Sequence, residues 1–447
     1  MNKENRKKII ILFTVLMLTG LTSCRTTYKN LDKPPLIEME GIIRDSGQSA
    51  EEHEANISNI PWEKYFTDSR LQALISEGLN NNVDMHIAMS RIRQAEASLE
   101  ASRGDELPSV SAEVRAEHSR SSSGPQGKKV LGYDTNPLYL GFSASWEIDL
   151  WGKLSNKSKA RYANLLNSYE YKKLVQTELI ASIASGYYQL LVLDKQLDIT
   201  KETVVLLEKN LETMSALKEA GEQNAAAVEK SKALLCSTKI SIPDLENRIR
   251  TQENAISVLL DRKPGVIDRM SIDEQRVSVE VDSGVPVRLL ANRPDVKQAE
   301  FNLLSAYAAT GVAKANLYPS LTISSTSFGL SSDDITDFFK PESIVANIIA
   351  SISRPMFNRE GLKSDLKIAE EQQQEALLTF SNTILKAGHE VSNIMYGYKS
   401  SLRKNDIRDE QIISLKNAVD TLVNCSLQVK LTTPKCCLHN RICFQPD

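Results

Sequence analysis

Cysteine and histidine gather at the end of the chain. In KCCLHNRICFQPD, Cys436, Cys437, His439 and Cys443 stand within thirteen residues. Thiolate and imidazole are the ligands of a structural zinc. The spacing Cys-Cys-x-His-x3-Cys does not suit one, because usual zinc sites keep their ligand pairs two or more residues apart. The other histidines, His53, His86, His118 and His389, are scattered, and His86 and His389 read as structural or solvated. There is no glycine-rich phosphate loop and no nucleophile elbow. The expectation is no enzyme activity, no metal and no cofactor.

One cysteine elsewhere carries a more definite chemistry. Lys3, Arg6, Lys7 and Lys8 form a basic start, Ile9 to Leu21 an apolar core, and Leu21-Thr22-Ser23-Cys24 follows directly. The first two features mark a secretory signal. The third resembles a bacterial lipobox, whose cysteine thiol takes a diacylglycerol and whose freed amine takes an acyl chain. Each buried CH₂ of such chains contributes about 0.8 kcal/mol to membrane binding. Cys24 is therefore the expected lipidation site, and residues 1–23 drop out of the fold.

Composition narrows the rest. With 54 Lys and Arg against 57 Asp and Glu, the formal net charge is -3, which gives no general reason to expect nucleic-acid binding. No internal run approaches the roughly 18 apolar residues of a spanning helix. A membrane role must come from the anchor or from β-strands.

The elements are organised by an internal repeat with a period of about 210 residues. VDMHIAMSRIRQAEASLEASRGDELPSVS, from Val83, corresponds to PDVKQAEFNLLSAYAATGVAKANLYPSLT, from Pro294. Asp84 matches Asp295 and Pro108 matches Pro319, 24 positions apart in both copies with no gap. Each copy opens on a helix, Val83 to about Arg103 and Pro294 to about Asn316. Asp early in a helix complements its dipole, and Pro is tolerated in the first turn. Ala95, Ala97 and Ala101, like Ala306, Ala308 and Ala309, are small enough for close helix packing.

Two strands follow in each copy. Ser109 to His118 and Leu140 to Leu150 alternate apolar and polar residues strictly, the pattern of a half-buried strand. Ten or eleven such residues also suit an outer-membrane strand, apolar to lipid and polar to lumen. The link SRSSSGPQGKK reads as loop. In copy two the strands are Leu321 to Phe328, which alternates poorly, and Ile344 to Met356, joined by SSDDITDFFKPE. Four strands are too few for a closed membrane barrel and would leave open edges. The choice is between a sandwich and several copies closing one barrel.

A long helix is expected from about Asn156 to Ala220. Leu179, Ile183, Gly186, Leu190, Leu193, Leu197, Thr200, Val204, Leu207, Leu211 and Met214 keep a heptad seam. Gly221 turns the chain, with Glu219 and Glu222 flanking it as candidate gate or docking residues or simply as solvated charges. The return helix, from about Glu222 to Leu260, should kink or break at Pro243.

These residues resemble the TolC-like outer-membrane factors, in the lipoprotein branch that serves tripartite efflux pumps. RPDVKQAEFNLLSAYAATGVAKANLYPSLT and WEIDLWGK carry the match most strongly; IPDLENRI, ENAISVLLDRKPG and LQALISEGLNNNVDMHIAMSRI support it. Asp261 departs, standing where the family usually has glycine. The resemblance implies an α+β membrane protein: a homotrimer with four strands per protomer in one outer-membrane β-barrel, above a long α-helical coiled-coil barrel. It would be a passive exit duct for drugs, metals or other small molecules, reaching from the outer membrane into the periplasm and opened by a periplasmic adaptor and an inner-membrane pump. A non-transporting coiled-coil scaffold lipoprotein is the alternative.

On this reading residues 1–23 are the signal peptide, 24–61 a lipid-anchored linker, 62–262 the first repeat, 263–290 an equatorial connection, 291–430 an incomplete second repeat and 431–447 an aberrant tail. The equatorial parts fall near Ala50–Pro61 and Arg262–Leu290. Copy two should turn near Leu427 but leaves only 20 residues after it, where copy one needs about 40 for its return helix. The expectation is a frameshifted or truncated second copy, which adds a defective, truncated channel as a further alternative.

Overall fold

A computed structural model of the protein describes residues 61–121, 133–135, 137–276, 287–353 and 359–428. Cys24, the linker to Ile60 and the segment 429–447, with its four cysteine and histidine residues, lie outside them. The turn expected near Leu427 falls at their edge.

Three helices come first: α1 (Trp62–Tyr65), α2 (Ser69–Asn81) and α3 (Val83–Gly104). The strands β1 (Ser109–Ala116), β2 (Ser119–Ser121), β3 (Tyr133–Thr135) and β4 (Leu138–Ile148) follow. Helices α4 (Lys153–Glu219) and α5 (Ala225–Leu259) form a long hairpin. The second copy supplies α6 (Pro294–Ala315), β5 (Ser320–Ser332), β6 (Ile344–Ser353) and α7 (Arg359–Gln428). At 1.5 Å per residue the 67 residues of α4 make a rod of about 100 Å.

The chain divides into two compact units. The larger takes in residues 55–282 and 292–383, thus α1 to α6, both sheets and the start of α7. The smaller includes 283–291 and 384–447. Its described part is mainly helical; Ile384 and Ala387 are buried, whereas Ile394, Tyr396, Ile407 and Ile413 are exposed.

In the larger unit the heptad seam is the core. Leu179, Ile183, Leu190 and Leu193 of α4 are buried with Leu245, Ile249 and Ile256 of α5 and Leu71 and Ile75 of α2. Gly186 lets the backbones approach: a Cβ there would meet the Gln252 side chain at 2.9 Å and Ile256 at 3.1 Å. Further out, Val204 stays buried while Leu207, Leu211 and Met214 are half-buried.

The two copies share one antiparallel sheet, in the order β1-β4-β5-β6. Its apolar face is uncovered: Val114 is 81% exposed, Phe142 56%, Phe328 60% and Ile348 81%. A sandwich would bury such residues under a second sheet. Among the described residues the other sheet is only the two-stranded β2-β3 hairpin.

Four expectations are corrected. Pro243 does not break α5, which runs unbroken through it. Pro243 and Lys239, whose carbonyl loses its helical partner, are both exposed, while Leu235, Leu245 and Ile249 keep the other face packed. The return helix begins at Ala225 rather than Glu222, because the Asn224 side chain caps it by accepting the Ala227 amide at 2.9 Å. The link read as loop contains β2, which pairs with β3. Ala97 and Ala101 are exposed, since α3 packs on α4 through Ile92, Leu99 and Leu165 on its opposite side, and Ala309 of α6 is exposed as well. Only Ala308 of that set is fully buried.

Candidate functional site: strand-to-helix junctions, hairpin tip and polar sheet face

The repeat motif marks the places where helix becomes strand. Asp84 lies in the first turn of α3, behind Asn82, whose side chain accepts the Asp84 and Met85 amides at 2.9 and 3.2 Å. Asp295 holds the same place in α6, directly after Pro294. Burial opposes its charge, but the Arg293 guanidinium, at 3.1 and 2.9 Å, holds its carboxyl below the usual range. At the other end Pro108 and Pro319 stop α3 and α6 and lead into β1 and β5.

The block WEIDLWGK joins the copies at this level. Trp151 stacks on Tyr318 at 4.8 Å between ring centres, and its Nε1 donates to the Pro319 carbonyl at 2.8 Å. Trp146 Nε1 donates to the Glu106 carbonyl at 3.0 Å. Asp149 caps α4, accepting the Leu154 and Ser155 amides at 2.9 and 2.8 Å. Gly152 turns the chain between them with φ 74°. A cleft of about 250 Å³ opens here, lined by Glu147, Asp149, Trp151, Lys153 and Tyr318. Lys153 neutralises Glu147 at 2.9 Å. Among the described residues no group of three His, Cys, Asp or Glu could hold a metal ion.

At the far end of the α4–α5 hairpin, Glu219, Gly221 and Glu222 stand at the turn. Gly221 takes φ 79°, and the Glu222 amide reaches back to the Leu217 carbonyl at 2.9 Å, closing the helix end. A Cβ on Gly221 would meet nothing within 4 Å, so the backbone angle, not crowding, calls for glycine. Both glutamates are exposed. At the near end of α5, Asp261 adopts φ 51°, a left-handed conformation that a glycine would take freely.

A polar node that the sequence did not announce straps residues 267–276 onto the helices. Tyr187, fully buried, donates to Asp68 Oδ2 at 2.5 Å and accepts the Met270 amide at 3.0 Å. Asp68 also accepts Gln275 Nε2 at 2.8 Å and the Arg70 and Leu71 amides at 2.8 and 3.3 Å. Burial works against the Asp68 charge, yet these donors hold its pKa below the ordinary value. Burial, then the Asp68 carboxylate, pushes Tyr187 well up. Beside them Arg269 grips Asp194 with two nitrogens, at 2.5 and 2.9 Å, and Glu253 with a third, at 2.6 Å. Asp194, outweighing burial and aided by Glu253, holds that guanidinium protonated far above the ordinary range. Helix capping by Asp68 before Ser69 was readable in the sequence; Tyr187 and Arg269 carried no local signal.

On the sheet's polar face, Tyr139 lies against the pair Gly141 and Gly329. Its hydroxyl donates to the Phe142 carbonyl at 3.2 Å and accepts the Phe328 amide at 3.1 Å. A Cβ on Gly141 would meet that hydroxyl at 2.6 Å.

Comparison with known proteins agrees with this geometry. The family model described as outer membrane efflux protein matches residues 74–261 and 285–422. The probable outer membrane lipoprotein SilC of Salmonella typhimurium is 26% identical over 416 residues, 93% of this chain and 86% of SilC. The cation efflux system protein CusC of Escherichia coli O6:H1 is 27% identical over 341 residues, 76% of this chain and 73% of CusC. A crystal structure of CusC superposes with a TM-score of 0.75 at 25% identity, covering 84% of this chain and 86% of that one. The open state of the Neisseria gonorrhoeae MtrE outer membrane channel gives 0.76 at 24% identity, covering 90% and 88%.

Proposed function

This chain belongs to the outer membrane efflux protein family, outer-membrane channel components of efflux pumps, and from that premise we propose a homotrimeric exit duct. Three copies would close one twelve-stranded barrel, each β1 edge meeting a neighbour's β6 edge. The observation that carries this is the four-stranded sheet itself: two unpaired edges and an apolar face open to the surroundings. Edges of that kind are removed by closure, and such a face belongs against lipid.

Helices α4 and α5 would extend the duct into the periplasm, where Glu219, Gly221 and Glu222 at the hairpin tip would meet an adaptor and an energised inner-membrane pump. Acyl chains on Cys24 would tether each copy to the outer membrane. Relatives carry names as different as cation efflux and solvent efflux. That spread favours passive diffusion through a shared passage over a dedicated binding site.

The test is purification in detergent, followed by heat-modifiable migration on gels and conductance in a planar bilayer. The expected results are a heat-labile trimer and discrete conductance steps. A monomer that Cys24→Ala releases from membranes without detergent, and that conducts nothing, would overturn the proposal in favour of a scaffold lipoprotein.

A further inference from the structure

We infer that the charge column formed by Glu113 and Arg115 on the polar face of β1, with Glu117 directly after the strand's end, sets the ion preference of the channel. The inference rests on the barrel reading above, in which that face lines the lumen.

Charge is scarce on this sheet. Across β1, β4, β5 and β6 the charged residues are Glu113, Arg115 and Glu147, all on the face opposite Val114, Phe142 and Ile348. Glu147 is cancelled by Lys153 at 2.9 Å. The remainder of the face is mostly serine, threonine and glycine. Arg115 donates through Nε and Nη2 to one oxygen of Glu113, at 3.0 and 2.5 Å. The pair stays wet, with the Arg115 side chain 60% exposed. Glu117, the residue after the strand's end at Ala116, acts on Arg115 electrostatically.

The strands opposite clear a space for these charges. Glu113 stands across from Gly141, which stands across from Gly329. Neither glycine has a side chain to screen the column. Tyr139, directly across from Arg115, is held against the sheet at both hydrogen-bonding sites of its hydroxyl and so does not project. The column therefore faces an open passage bounded by low-dielectric walls, where fields are focused rather than screened.

The column's formal charge is -1 per copy, from two carboxylates and one guanidinium. Arg115→Gln makes it more negative and Glu113→Gln brings it to neutral. The measurement is the reversal potential of single channels of the full-length trimer under a tenfold KCl gradient. For Arg115→Gln the potassium-to-chloride permeability ratio should rise about threefold or more, and for Glu113→Gln it should fall by a similar factor. Arg115→Lys should stay near the wild type, and both shifts should shrink as salt rises, because screening shortens to about 3 Å at 1 M. Retention of the heat-modifiable trimer shows that each variant folds. Wild-type pores whose reversal potential moves in neither charge variant overturn the inference and leave the channel reading intact. A wild-type trimer that forms no pores refutes the channel reading, and the inference falls with it.

Discussion

Removing one oxygen atom at the buried node should loosen a single segment of the protein. Tyr187→Phe keeps the ring and its packing but deletes the hydroxyl that bridges Asp68 and the Met270 amide, at 2.5 and 3.0 Å. A hydrogen bond to a charged group contributes about 1.5 to 3 kcal/mol, and an amide left without its partner costs about 1 to 3 kcal/mol more. Asp68 keeps Gln275 and two backbone amides, which limits the loss. A net loss of about 3 kcal/mol corresponds to roughly a 150-fold rise in local opening. Hydrogen exchange of a peptide spanning residues 267–276 reads this directly. It should accelerate by about two orders of magnitude while the α4 amides around Leu190 hold their rates. The pH dependence follows from the same groups. Asp68 has a depressed pKa, so its contribution is present above the unfolded value of about 3.9 and fades as pH falls below it. Tyr187 has a raised pKa, so its contribution is complete below about 10 and is lost as pH climbs towards its folded value. The strap should be best protected between about pH 4 and pH 10, after correction for intrinsic exchange. Acceleration of less than about threefold, or equal acceleration throughout α4, would refute the node as a local clamp.

Other substitutions probe separate parts of the design. Asp149→Ala removes the cap on α4 and should cost about 1 to 2 kcal/mol, seen as faster exchange at Leu154 and Ser155 with the hairpin core unchanged. Asp261→Gly relieves a left-handed φ of 51° and should stabilise the chain by up to about 1 kcal/mol, measured as a higher urea midpoint with an unchanged slope. Gly329→Val should prevent the sheet from closing, because a Cβ there would sit 2.2 Å from the Leu140 carbonyl oxygen; the heat-modifiable gel band should disappear while helical circular dichroism persists.

Periodic features were legible in the sequence and contacts between distant residues were not. The heptads of α4 announced a core that the structure confirms from Leu179 to Leu193, because one helical face must be buried whatever covers it. The repeat placed Asp84, Pro108, Asp295 and Pro319 at helix starts and stops, where local backbone rules decide. The poor alternation of β5 had a structural cause: the register slips between Ser324 and Ser327, and a bulge reverses which residues face which side. The break allowed for at Pro243 does not occur, because its cost depends on surroundings that the sequence does not state. Tyr187 and Asp68 lie 119 positions apart, and Arg269 and Asp194 75 apart. No local pattern links such pairs; only the way α2, α4 and the 267–276 segment pack together does.

The seam between β4 and β5 also dictates an order of events in folding. Within each copy the strands are near in sequence: Ala116 faces Leu138 and Leu330 faces Ile344. Across the seam Ile148 faces Leu321, 173 positions away. That is about three doublings of loop length beyond the first hairpin, roughly 2 kcal/mol of extra closure entropy. The two hairpins should therefore form early and independently. Their joining has to wait until α6 has docked on α4 and brought the ends together. Until that moment β4 and β5 are free edges with apolar residues on one side, open to pairing with the wrong chain. The helices thus act as the alignment jig for a sheet that cannot assemble itself.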